Sequence, residues 1–206
     1  MSRRPTEILP GVYYWTAFHE RIGQDVGSYY VADGGTAIDP KIPSAGSMAI
    51  PGEIRTILLS SGHHNRDAAA LSASTGAPIK GLPQVVAVLD GKLAAEAVPE
   101  GQPVNGTATP HHVGAICDDE GAVHIAVGEG ALVIADAALL DLHGAISFMP
   151  DHLIGDEPER VKQELRVSLS RLLTLEFDSL LFTHSEPLIG SGKAALREFL
   201  DQPPGA

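Results

Sequence analysis

The chain has 206 residues, the length of one domain, read here as 1–206, that buries about two-thirds of the surface its unfolded form exposes. Its 14 Lys and Arg stand against 26 Asp and Glu, a net charge of −12, which argues against nucleic acid or an anionic membrane as a partner. One cysteine, Cys117, excludes an internal disulfide and any multi-cysteine zinc site. No apolar run reaches membrane-span length, and the polar start from Met1 to Glu7 lacks the apolar core of a signal peptide. A cytoplasmic location is therefore expected, with assembly into a homo-oligomer left open.

The chain opens on strands. Val12 to Thr16 is β-branched and aromatic, and Gly27 to Ala32 is rich in Tyr and Val. Asp33-Gly34-Gly35 is a hairpin signal, with Thr36 to Asp39 as the return strand stopped by Pro40. Ile54 to Leu59 has strand length. Polar Ser60 to Asp67 follows, then a short helix over Ala68 to Ser74 capped by Gly76, and an extended piece from Ala77. Gln84 to Leu89 is helical within an otherwise loop-like stretch from Gly81 to Gly106. Ala122 to Val127 and Ala131 to Ala135 are strands around the turn Gly128-Glu129-Gly130. Leu139 to Gly155 is irregular. Asp156 reads as a helix N-cap, with Pro158 in the first turn. Val161, Leu165, Leu169 and Leu172 recur at helical spacing and predict a helix over Glu157 to Leu175. Ser179 to Thr183 is a buried strand, Ser191 to Leu200 a closing helix, and the tail from Gln202 is expected to fray. This order fits an α/β sandwich with helices outside two sheets. No dinucleotide-binding or phosphate-loop glycine motif follows a strand.

Three polar groups each follow an apolar strand. They are Ser60-Ser61-Gly62-His63-His64-Asn65-Arg66-Asp67, Thr109-Pro110-His111-His112 with the later Asp136, and Thr183-His184. Strand ends along one sheet edge converge, and His with Asp supplies ligands suited to zinc, manganese or iron. Taken singly, each of these residues is more often a hydrogen-bonded loop residue than a ligand; it is the order and spacing of the three groups together that point to a metal.

Leu9 to Tyr13, Ile38-Asp39-Pro40, Ile57 to Ser60, Thr109 to His112, Ile134-Ala135-Asp136 and Leu181 to His184 come in an order that resembles the metallo-β-lactamase superfamily from Leu9 to Leu200. That resemblance implies an αββα sandwich with a metal site at one sheet edge. With Ser60 on the threonine of the family's T-H-x-H-x-D-H signature, Ser61, Asn65 and Arg66 replace three of its four ligands. His63, His112, Asp136 and His184 remain at ligand positions. They imply one divalent ion, zinc first with iron or manganese as alternatives, or no ion at all; Arg66 would occupy the place of a second. His64, pointing away from His63 on an extended segment, is expected to bond a backbone carbonyl, whereas in a turn it would swing in as a substitute ligand or a base; Arg66 is expected to compensate Asp136. Two functions stay open. One is a mononuclear metallohydrolase acting on an unidentified small molecule, with anionic molecules among the candidates. The other is a metal-free ligand-binding or regulatory protein on the same fold.

Overall fold

The computed structural model describes residues 3–43 and 49–202. A seven-stranded sheet holds β1 (Arg3–Leu9), β2 (Val12–His19), β3 (Gln24–Val31), β4 (Thr36–Ile38), β5 (Thr56–Leu59), β6 (Ile79–Gly81) and β7 (Glu96–Ala97) in that spatial order. Its first half is antiparallel; from β4 to β7 every pair is parallel. The second sheet draws on β8 (Ala108–His112), β9 (Gly121–Ile125) and β10 (Ala131–Ile134). A two-stranded ribbon of β11 (Leu139–Leu140) and β12 (Ile146–Ser147) follows, and β13 (Ser179–Phe182) joins the second sheet beside β10, in the order β13-β10-β9-β8. The helices are α1 (Ala68–Thr75), α2 (Pro83–Leu89), α3 (Pro158–Leu172) and α4 (Gly192–Asp201). Among the described residues, no helix is long and apolar enough to cross a membrane.

Alternation along the strands builds four layers, because successive side chains leave opposite faces of a sheet. Val12, Tyr14, Tyr29, Val31, Ile38 and Leu58 turn inward and meet Val123, Ile125, Val133 and Leu181 of the other sheet. Trp15, Tyr30, Ala37, Ile57 and Leu59 turn outward, under Ala68 and Leu71 of α1 and Val85 and Leu89 of α2. On the far side, Leu132, Ile134, Leu180 and Phe182 pack under Val161, Leu165, Leu169 and Leu172 of α3 and Leu196 of α4. Each such leucine contributes about 1.5–3 kcal/mol by leaving water. The architecture is the expected αββα sandwich.

Several boundaries differ from the sequence reading. β1 carries no apolar alternation; pairing with β2 makes it a strand, with register shifts at two points. The irregular stretch after Leu139 contains the β11–β12 ribbon and a 3-10 turn at Asp151–Leu153. α3 begins at Pro158 after Glu157, and no side-chain cap bond forms there, so Asp156 does not cap it. At its other end Leu173, Thr174 and Leu175 donate to carbonyls three residues back, a tighter turn that continues the predicted helix in 3-10 form. The tail expected to fray lies outside the described residues from position 203.

Pairing register sets where polar residues leave the sheets. β4 runs parallel to β5 with Ile38 opposite Leu58, so Asp39 and Ser60 emerge at the same edge. β10 runs parallel to β13 with Ile134 opposite Phe182, so Asp136 and His184 emerge side by side. The sheets are tied together at this edge. Gly27 N donates to Thr183 O at 2.8 Å, and the Tyr29 hydroxyl donates to Phe182 O at 2.5 Å. A Cβ on Gly27 would lie 2.8 Å from Phe182 O. Gly27→Ala should therefore cost about 1–3 kcal/mol of stability by forcing the sheets apart. Urea unfolding measures this, and an unchanged midpoint would show that the edge yields freely.

Candidate metal centre

Four strand ends and one tight turn build the site. Ser61 begins the turn: its hydroxyl accepts from His63 N at 3.1 Å, and Gly62–His64 wind as a 3-10 segment. At three residues per turn, neighbouring side chains point about 120° apart. His64 is thereby turned inward and buried, whereas His63 faces solvent.

Asp39, fully buried with φ 46°, closes β4. Its Oδ1 accepts from Ser60 N at 2.8 Å. Its Oδ2 accepts from the Ser60 hydroxyl and from His64 Nδ1, the latter at 3.0 Å. On the other side of the ring, His64 Nε2 lies 3.3 Å from Asp136 Oδ1 and 3.4 Å from His184 Nε2. His184 Nε2 lies 2.9 Å from the same Asp136 oxygen. Gln24 Nε2 donates to His184 Nδ1 at 3.1 Å, which leaves the His184 proton on Nε2, directed at Asp136.

Burial by itself would lower the His64 pKa, but Asp136 and Asp39 on its two sides push it up to about 9. The same contacts hold the Asp136 carboxyl well below its ordinary value against its burial, and they hold Asp39 low as well. Burial keeps His184 below 6.5 despite its bond to Asp136, and the neighbouring His64 charge adds to this. The unliganded cluster is thus a carboxylate–imidazolium–carboxylate chain with a neutral histidine at its end.

The donor set also suits an ion. Ligands about 2.1 Å from a tetrahedral ion stand about 3.4 Å apart. The three separations here, 2.9, 3.3 and 3.4 Å, lie close to that value. Asp39 on His64 Nδ1 is the outer carboxylate that fixes a ligating imidazole with Nε2 forward. His184 would need its proton on Nδ1, facing the Gln24 carbonyl oxygen, a half-turn of that amide away. A cavity of about 430 Å³ opens over the cluster, walled by His19, Arg21, Gln24, Met149 and Leu153.

Of the residues expected at ligand positions, the structure brings Asp136 and His184 together and adds His64. His63 Nε2 is directed instead at Asp119, 4.0 Å from its Oδ1. His112 is not part of the cluster: its Nε2 donates to Asp118 O at 2.7 Å, with the ring resting on Gly114. His64 does not bond a backbone carbonyl, because the 3-10 turn carries it to Asp39. Nor does Arg66 form a direct ion pair with Asp136, although the Asp136 charge acts favourably on its guanidinium. Its backbone is left-handed, at φ 37°, and Nη1 donates to Gly27 O at 2.6 Å and Asp39 O at 2.8 Å. Arg66 Nη2 is buried without a hydrogen-bond partner among the described residues. Asn65 donates back to Gly62 O at 3.0 Å, and Asp67 accepts from Ile42 N at 2.7 Å; both brace loops. A second convergence, of His63, Cys117 and Asp119, was not expected from the sequence; the only trace of it there is the polar run Cys117-Asp118-Asp119-Glu120.

No family model matches the chain, and no curated protein does. Solved structures do. TMB-1, studied for substrate and inhibitor binding, superposes with a TM-score of 0.68 at 13% identity, over 95% of this chain and 97% of that one. A metallo-β-lactamase from Hirschia baltica gives 0.66 at 12% identity, covering 98% of both chains. A metallo-β-lactamase family protein from Thermus thermophilus gives 0.64 at 15% identity, over 94% of this chain and 79% of that one. The chain has the metallo-β-lactamase fold, as the sequence resemblance implied.

Proposed function

We propose that the protein is a hydrolase using a single divalent ion, zinc first among candidates, on a small anionic substrate. The convergence of His64 Nε2, Asp136 Oδ1 and His184 Nε2 beneath an open cavity carries this proposal. Such an ion would supply an acidified water and polarise a carbonyl or phosphoryl oxygen. The remaining tasks fall to the chain. Asp39 holds the His64 ring in place through Nδ1, and Gln24 sets the tautomer of His184. Arg21 and Arg66 put positive charge along the cavity, suited to an anionic group, and Met149 with Leu153 lines it with apolar surface.

Metal-free protein should be inactive on a panel of carboxylate-bearing esters, thioesters and lactones and on phosphodiesters. Stoichiometric zinc should restore turnover, and His184→Ala should lose both zinc affinity and turnover. A zinc-loaded protein silent across the panel, with no tight zinc uptake by calorimetry, would remove the proposal. The charge balance of the same cluster supports one alternative. Asp39 and Asp136 stand opposite His64 and Arg66, so two carboxylates are matched by two cationic groups without an ion, an arrangement compatible with a metal-free ligand-binding protein. In that case a chelator leaves the melting temperature of the purified protein unchanged.

A further inference from the structure

We propose a second metal site, made by His63, Cys117 and Asp119, beside the His64 centre and sharing no ligand with it. One ligand atom from each of the three lies within 4.8 Å of the others. Asp119 is already oriented. Its side chain is only 2% exposed, and its Oδ2 accepts from Ser61 Oγ at 2.9 Å and from Gly62 N at 2.6 Å. Its Oδ1 is left facing His63. Gly62 makes this possible, since a Cβ there would stand 3.1 Å from Asp119 Oδ2 and 3.0 Å from Val88. The carboxylate is therefore fixed by its outer oxygen with the inner one presented, as second partners fix ligating carboxylates at metal sites.

The other two donors can close on it. The His63 side chain is 59% exposed and anchored only through its backbone turn, so its ring can swing the 4.0 Å gap shut. Cys117 is half-buried in the loop after β8, beside Asp119. One sulfur, one imidazole nitrogen and one carboxylate oxygen make a set for a zinc-like ion, with the fourth position left to water. On binding, the thiol gives its proton to solvent and a metal–sulfur bond forms; nothing is oxidised or reduced. Of the three, only His63 stands at a position of the resembled signature; Cys117 and Asp119 do not, so the site adds an ion, on ligands of this chain's own, to the single one that the surviving signature residues implied. It would tie the 62–64 turn, which aims His64, to the loop between β8 and β9.

Cobalt(II) titration of the metal-free full chain, followed by absorption, tests this without reference to activity. Wild type should develop a thiolate-to-cobalt charge-transfer band. The band should persist in Asp136→Asn and vanish in Cys117→Ser. In His63→Gln, an exposed change that leaves the fold alone, half-saturation should need at least about tenfold more cobalt. A wild-type cobalt spectrum without that band would overturn the site. So would a band unchanged in His63→Gln, which would mean that Cys117 binds alone, or one lost in Asp136→Asn. Cobalt taken up without the band, and released by Asp136→Asn, would leave the His64 centre standing and remove this second one.

Discussion

Asp39→Asn should destabilise the metal-free protein by about 3–5 kcal/mol, the cost of breaking a buried ion pair from one side. Asn keeps the size of the side chain and tolerates the left-handed backbone that Asp39 adopts, so strain does not confuse the result. What changes is charge. His64 loses the carboxylate on its Nδ1, and the new amide nitrogen must face either the Ser60 N–H, which now donates to Oδ1, or the His64 N–H and the Ser60 hydroxyl, which now donate to Oδ2. Urea unfolding at neutral pH reads the loss. The same variant should bind zinc at the His64 centre about 10–100-fold more weakly, as removal of an outer carboxylate does elsewhere. A variant as stable as the parent would show that the Asp39–His64 contact contributes little.

Stability of the metal-free protein should peak near pH 6.5 and fall by about 3 kcal/mol as pH rises through 9. The sign follows from His64. Its folded pKa of about 9 lies above the ordinary 6.5, so its contribution is complete below 6.5 and is lost as the folded ring gives up its proton. His184 acts in the opposite sense: held below 6.5, it makes the unfolded chain take up a proton first, and stability declines as pH drops beneath that value. The lowered carboxyls of Asp39 and Asp136 extend this decline toward acid. Denaturant midpoints across the range, repeated after His64→Gln, test the assignment. The alkaline loss should disappear in that variant, and its persistence would place the titrating group elsewhere.

The sandwich was legible because its strands are short apolar runs closed by glycine or proline, and because Val161 to Leu172 keeps a clean helical repeat. β1 was not legible, since its residues are polar and only its partner makes it a strand. Asp136 and His184 could be paired on paper from two parallel strand ends. The choice between His63 and His64 could not. An extended segment and a 3-10 turn send opposite members of that pair inward, and the Ser61 bond that favours the turn is visible only in three dimensions. His112 shows the converse difficulty. Its place on β8 suits a ligand, but the loop that returns through Asp118 offers its ring a carbonyl first.

The bulged strand at the start of the seven-stranded sheet has a consequence for how molecules of this protein meet. A regular outer strand offers unpaired amides and carbonyls on which a neighbouring chain can add. Here β1 breaks register twice and carries Arg3, Arg4 and Glu7, so it is a poor template for another strand. At the opposite border β7 spans only Glu96–Ala97, too short to seed an intermolecular ladder. Sheet growth is thus blocked at both borders, and β4 and β5, which deliver Asp39 and Ser60, stay in the interior, away from edge-to-edge aggregation.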